Sequence, residues 1–317
     1  MNLFKLITIF FSVYSFSSES WIWTGVEIVG QNRVTRDKIL SQTPLPIVVG
    51  EKYTQNLSSW SKWCSSIKKN FSFSYTRCSS VRYSDFQAFF VVNIVDKGEE
   101  HRSKFRAPPR ETIALANEDI LDTFDSLQKR MWALFEQGVA PKESVTNGYL
   151  NYDDKEMSHY VLRLNKLVPN YRENLLDVLK NDKNIEKRGK AATLLNWASD
   201  TNDSINEIYV LLDDPSSLVR NNITRFMLHY FSQIKQNIKK YSIINSLALQ
   251  LERPSHGDRN KAIYGLLKIA KSDASLIPKI KEHAIKEISH IAKHSILSNV
   301  RDPAIELSKL IQNYNSQ

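Results

Sequence analysis

Asp213-Asp214-Pro215-Ser216-Ser217-Leu218-Val219-Arg220 decides the architecture of the larger part of this chain. A turn with a proline at a helix start leads into Val-Arg and an apolar face, as where one helix hands over to the next. The pattern returns along the sequence. Arg188-x-x-Ala191-Ala192-x-Leu194-Leu195 recurs as Arg220-x-x-Ile223-Thr224-x-Phe226-Met227, as Arg259-x-x-Ala262-Ile263-x-Gly265-Leu266 and as Arg301-x-x-Ala304-Ile305-x-Leu307, in steps of 32, 39 and 42 residues. Periods of that length belong to stacked helix pairs. Upstream, Ile120, Phe124, Leu127, Met131, Leu134 and Phe135 mark a long amphipathic helix that starts after Asn117-Glu118-Asp119 and stops at Gly138. The repeated arginines Arg188, Arg220, Arg259 and Arg301 read as structural. Their charge is expected to pair with carboxylates of a neighbouring repeat, such as Asp182 or Asp214, while their stems pack along the helix.

The Asp-turn-Val-Arg copies resemble a HEAT-type α-solenoid over roughly 111–317, with spacing less even than a regular array. Toward the N-terminus the periodicity changes. Trp21, Trp23, Val26 and Ile28 alternate as in a strand, and Gly30-Gln31-Asn32 turns the chain. Thr35 is placed to cap a short helix through Leu40, and Pro44 and Pro46 break it. Leu57, Trp60, Trp63, Cys64 and Ile67 fall at helical spacing over 55–70, an amphipathic helix whose aromatics need a sheet to lie on. Phe71-Ser72-Phe73-Ser74-Tyr75 alternates as a second strand. Phe86 to Val95 is a third, apolar on both faces over Phe89-Phe90-Val91-Val92. The order strand, helix, helix, strand, strand makes a small α+β unit beside an all-α helical-repeat domain.

Val26-Glu27-Ile28-Val29-Gly30-Gln31-Asn32-Arg33-Val34, then Ile39-Leu40, Gly50-Glu51-Lys52-Tyr53, a helix, two strands and an acidic stop near Asp96 resemble a polypeptide-transport-associated (POTRA) domain over 21–97. The resemblance implies an extracytoplasmic domain that binds polypeptides, often by adding an extended segment to its sheet edge. The peptide-binding residues it suggests here are Phe71, Phe73, Ser74 and Tyr75, with Lys68, Lys69 and Arg77 beside them to blunt the edge or to attract acidic segments.

Compartment is read from both ends of this α+β region. Met1 to Lys5, an apolar run from Leu6 to Phe16, and small residues at Ser15, Ser17, Ser18 and Ser20 have the order of a secretory signal peptide over 1–20. Export, periplasmic or secreted, makes a Cys64–Cys78 disulfide the expected state of the two cysteines. Residues 98–110 carry two prolines and a surplus of charge, and read as a solvated linker between 21–97 and 111–317.

The chain of 317 residues is 42% hydrophobic and 24% charged, ample for two cores, and its net charge of +9 admits a nucleic acid or an anionic surface as partner. With 9 Gly and no Gly-rich loop ending in Lys-Ser/Thr, a nucleotide-driven activity is not expected, nor any cofactor. His283, Glu287, His290 and His294, spaced 4, 3 and 4, form a helical stripe and a candidate metal set. The stripe sits beside the core positions Ile277, Ile280, Ala284, Ile288 and Ile291, where a solvated flank explains it more cheaply. No nucleophile elbow or His-Glu-x-x-His is present, so a metal-dependent enzyme ranks low. The reading is a non-catalytic exported adaptor or scaffold with protein partners, envelope or secreted polypeptides, and room for peripheral membrane association. A basic protein binding nucleic acid or an anionic surface is the alternative, and export weighs against nucleic acid.

Overall fold

The computed structural model describes residues 21–30, 36–45, 47–53, 57–83, 85–115, 117–198, 201–234 and 236–314. The signal peptide expected over 1–20 and the Thr35 cap lie outside them. In chain order the elements are β1 (Ile22–Val29), α1 (Arg36–Gln42), α2 (Leu57–Phe71), β2 (Tyr75–Arg82), β3 (Gln87–Val95), α3 (Glu118–Glu136), β4 (Glu143–Thr146), β5 (Tyr149–Tyr152), α4 (Lys155–Leu167), α5 (Arg172–Asn181), α6 (Ile185–Leu194), α7 (Thr201–Ile208), α8 (Ser217–Tyr230), α9 (Asn237–Glu252), α10 (His256–Ser272), α11 (Ile277–His294) and α12 (Ser298–Tyr314). A small mixed sheet region near the N-terminus is thus followed by a mostly helical body.

The chain clusters into two compact units. One contains Phe105–Ser246 with Lys271–Asp273; the other contains the described part of Lys5–Lys104 with Leu247–Ala270 and Ala274–Gln317. The break after Lys104 falls inside 98–110. The stretch 111–317, expected as a single helical domain, is divided, and nearly all of α10 together with α11 and α12 belongs with the sheet.

In that second unit the strand order is β1-β3-β2, with β1 parallel and β2 antiparallel to β3. Period-two alternation sends Phe90 to one face, where it stacks on Trp60 of α2 with ring centroids 4.0 Å apart. Trp23 joins the same cluster, 4.8 Å from Trp60 and 4.8 Å from Tyr53. The opposite face carries Asn93, whose Oδ1 accepts from the His256 N–H at 3.2 Å, and Glu27, whose Oε2 accepts from the Ile296 N–H at 2.9 Å. Helices therefore cover both faces, which is why eight of the nine residues of β3 are buried. Gly30 closes β1 at φ +89°, and a Cβ there would overlap the Ile94 carbonyl oxygen.

The second strand departs from expectation. Phe71 ends α2, Ser72 takes φ +52°, and the Ser74 N–H and hydroxyl both turn inward to the Val95 carbonyl at 2.9 and 3.1 Å. The strand proper starts at Tyr75, so Phe71, Phe73 and Ser74 lie outside it. Phe73 is buried and stacks on Phe71.

The first unit is organised by its turns. Asp182 Oδ1 accepts the Asn184 N–H at 2.6 Å, and Asp214 Oδ1 accepts the Ser216 N–H at 2.9 Å, each closing a turn two residues ahead. Arg188 Nη1 donates to the Asp182 carbonyl at 2.9 Å, and Arg220 Nη1 repeats the same contact to the Asp214 carbonyl. Between successive copies, Arg188 grips Asp214 with two bonds, Nη2 to Oδ1 at 2.9 Å and Nε to Oδ2 at 3.2 Å, both side chains wholly buried. Arg301 does not share this arrangement: it is exposed at its side chain and meets only its neighbour Asp302 at 3.1 Å in the contacts described.

Residues 98–110 are not a solvated linker. Glu100–Ser103 forms a short 3-10 turn that buries Arg102 against Glu99 at 2.7 Å and Glu287 at 3.4 Å. Further on, Phe105 lies under the Arg220 guanidinium, 4.3 Å from its ring centroid, and Arg106 donates to Asp214 at 2.7 Å. Glu111 and Ile113 continue the strap, bonding the Asn181 carbonyl and the Asp182 carboxylate. The charges and the two prolines suit an extended segment that fastens onto polar turns.

Arg188→Ala is expected to lower the unfolding free energy by about 3 kcal/mol, because it removes the bidentate partner of the buried Asp214 carboxylate and leaves Arg106 as its described cation. Arg301→Ala should stay within about 0.5 kcal/mol of the parent. Urea unfolding of the two variants checks the contrast, and equal losses would contradict it.

Candidate functional site

An unpaired strand edge is the feature of this fold most open to a partner. β1 has the other outer position, and the start of its edge is filled: Trp23 N–H donates to Glu51, Gly50 N–H to Trp23, and Tyr53 N–H to Trp21, at 2.7–2.9 Å. Among the described residues no strand pairs with the outer side of β2. Tyr83 N–H donates to Gln87, and the register runs without shift from Tyr75↔Val95 to Arg82↔Ala88. By the alternation of an antiparallel ladder, odd positions bond β3, and the N–H and C=O groups of Thr76, Cys78 and Ser80 point to the open side.

The disulfide Cys64–Cys78 ties the middle of this strand to α2, with Cα atoms 6.0 Å apart. Closing a loop of that length contributes about 3 kcal/mol in the chain-entropy account, and it holds the edge flat against a helix. Tyr53 Oη meets Ser80 Oγ at 3.1 Å, and the Arg82 guanidinium lies 4.9 Å from the Trp21 ring. Lys68 and Lys69 occupy the last turn of α2, where cations suit the helix dipole, and both are exposed, as is Arg77 on the strand. The sequence thus located the basic flank and Tyr75 but placed the strand some four residues too early.

The histidine stripe does not assemble as a metal set. Glu287 is buried with its carboxylate between two guanidiniums, Arg102 at 3.4 Å and Arg259 at 3.6 Å. His283 lies beside Glu282 at 3.5 Å, whereas His290 and His294 do come together, ring centroids 4.8 Å apart. Among the described residues no group of three or more His, Cys, Asp or Glu is placed to hold a metal ion.

His290 and His294 instead border a cleft shared with Glu27, Arg36, His256 and Arg259, residues that sequence reasoning did not assign to a site. Their distance along the chain hides the grouping, although a charged Glu27 inside an apolar strand is a readable signal. Burial raises the Glu27 carboxyl pKa despite the Ile296 N–H, the Ser295 hydroxyl and the charges of Arg259 and Arg36. Burial likewise pulls the Arg259 guanidinium down, and with the Arg259 charge beside it, the His290 imidazole too. Comparison with protein-family models, curated proteins and solved structures finds no match to this chain.

His256 is almost fully buried, and desolvation first, then the charges of Arg259 and Lys261, pushes its pKa down to about 4. The unfolded chain protonates this ring near 6.5, so below that value the unfolded state binds more protons and stability falls on acidification. The slope is about 1.4 kcal/mol per pH unit, or about 2 kcal/mol between about pH 7 and about pH 5. His290 acts in the same direction and Glu27, with its raised pKa, opposes it. Urea unfolding should show a smaller acid loss in His256→Gln than in the parent; identical losses would contradict the assignment.

Proposed function

We propose that this chain is a non-catalytic exported binding protein whose β2 edge captures an extended polypeptide by strand addition. The observation that carries the reading is the row of backbone groups at Thr76, Cys78 and Ser80 that no described strand pairs with, whereas the start of the β1 edge is occupied. Proteins usually blunt such an edge unless it is used, and main-chain bonds along it give affinity while alternating side-chain positions give choice. Lys68, Lys69 and Arg77 favour a partner segment that carries acidic residues.

Three further features support the reading. The strand-helix-helix-strand-strand order of β1, α1, α2, β2 and β3 is that of the POTRA-like arrangement the sequence resembles. The Cys64–Cys78 disulfide suits an oxidising compartment, periplasmic or extracellular. The turn-to-turn Arg-Asp contacts of α6 and α8 are those expected of HEAT-like repeats, which offer extended surfaces to proteins.

Thr76→Pro tests the edge directly. Its N–H points outward and its hydroxyl has no hydrogen-bond partner among the described residues, so proline there removes an edge donor at little cost to the ladder. Against immobilised extended acidic peptides, the variant is expected to lose capture at least about tenfold while its melting temperature stays within a few degrees of the parent. Retained capture by a folded Thr76→Pro protein would remove β2 as the site.

A further inference from the structure

The cleft bordered by the end of β1, the start of α1, the first turn of α10 and the last turn of α11 carries a separate inference, independent of the strand-edge reading. Two arginines line it, Arg36 and Arg259, and in each the buried Nε–H has no hydrogen-bond partner among the described residues. The Arg259 side chain is only 6% exposed. Its described ion pair is a loose one, 3.6 Å to Glu287, and that carboxylate is shared with Arg102. A guanidinium has five donors in a planar fork and cannot shed its charge, so leaving one buried and half-satisfied is costly unless something completes it. Such a group marks the place of an ordered water or ion.

The chemistry of the walls selects an anion. Arg36 and Arg259 supply fixed positive charge, and His290 and His294 add ring nitrogens at the border. Glu27, the carboxylate of the cleft wall, is already engaged, its Oε2 accepting the Ile296 N–H. Size narrows the choice. The cavity is about 60 Å³, the room of a few waters or a small ion, whereas drug-sized and cofactor ligands occupy about 300 Å³ or more.

We propose that this cleft binds a phosphate-type oxyanion, held in a fork by Arg259 and Arg36 with His290 and His294 at its mouth. Bound there, the anion ties α1, α10 and α11 to the end of β1, and so acts as a stabilising ligand of the sheet-bearing unit.

Thermal unfolding of the full chain in inorganic phosphate, against sodium chloride at matched ionic strength, tests the site. The expected result is a saturable rise in melting temperature with phosphate and none with chloride. Arg36 is half-buried and His294 exposed, so Arg36→Gln and His294→Gln are expected to preserve the fold. Arg36→Gln should weaken the phosphate effect by about tenfold and His294→Gln by less. Glycerol phosphate as a second probe distinguishes sources: stabilisation by both probes assigns the anion to a phosphoryl group of a larger molecule as well, and stabilisation by phosphate alone assigns it to the free ion. Equal melting curves in phosphate and chloride, or a phosphate effect unchanged in Arg36→Gln, would overturn the proposal.

Discussion

Burial of β3 on both faces is the constraint on which the sheet-bearing unit depends. Ala88, Phe90, Val92 and Ile94 face one way, Phe89, Val91 and Val95 the other, and all are buried. A strand apolar on both sides cannot leave either side in water, since each large side chain is worth about 1.5–3 kcal/mol on burial. α1 and α2 supply one cover from the sequence immediately preceding β2. The other comes from α10–α12, more than 150 residues further on, as the Tyr83–His256 contact at 3.3 Å illustrates. That long return leaves polar fastenings at its seam: Glu27 to Ile296, Asn93 to His256, and Arg102 to Glu287. These are groups that must be satisfied because the packing around them excludes water.

How far the sequence reveals this follows from what each signal measures. The strand-helix-helix-strand-strand order is legible because β1 and α2 have strong periodicity and β3 is a short continuous apolar run. Phe89-Phe90-Val91-Val92 even announces the second cover, although nothing local says which helices provide it. β2 is the weak point, since Thr76, Arg77, Ser79 and Ser80 give an edge strand no apolar alternation, and Phe71 and Phe73 immediately before it imitate one. β4 and β5, four residues each, are too short for alternation to show, although Asn147-Gly148, at φ 53° and 81°, is the usual two-residue hairpin turn. The Arg-Asp contacts were legible at Arg188 and Arg220 because the turn and the helix repeat together at 32 residues. At Arg301 the motif recurs in sequence without its buried carboxylate, so a pattern match was not a contact.

The candidate sites differ in legibility for the same reason. The basic flank of the edge is local: Lys68 and Lys69 end one helix and Arg77 lies in the next strand. The cleft around Arg259 is not local, drawing from five segments between Glu27 and Val300. Residues 98–110 show the reverse case, a stretch whose composition reads as solvent-exposed but whose Arg102 and Arg106 find fixed acceptors in the fold. Charge in a sequence indicates that a partner is needed, and only the three-dimensional arrangement says whether the chain itself provides it.

The central claim is that the outer backbone of β2 is available to a polypeptide strand. Residue-resolved amide hydrogen exchange tests it most directly, first on the protein alone and then with a saturating extended acidic peptide. The account predicts that Thr76, Cys78 and Ser80 exchange quickly beside slow Arg77, Ser79 and Val81, and that the peptide slows the fast set. Uniform protection along Tyr75–Arg82 in the free protein, or a peptide that binds without slowing those three amides, would contradict it.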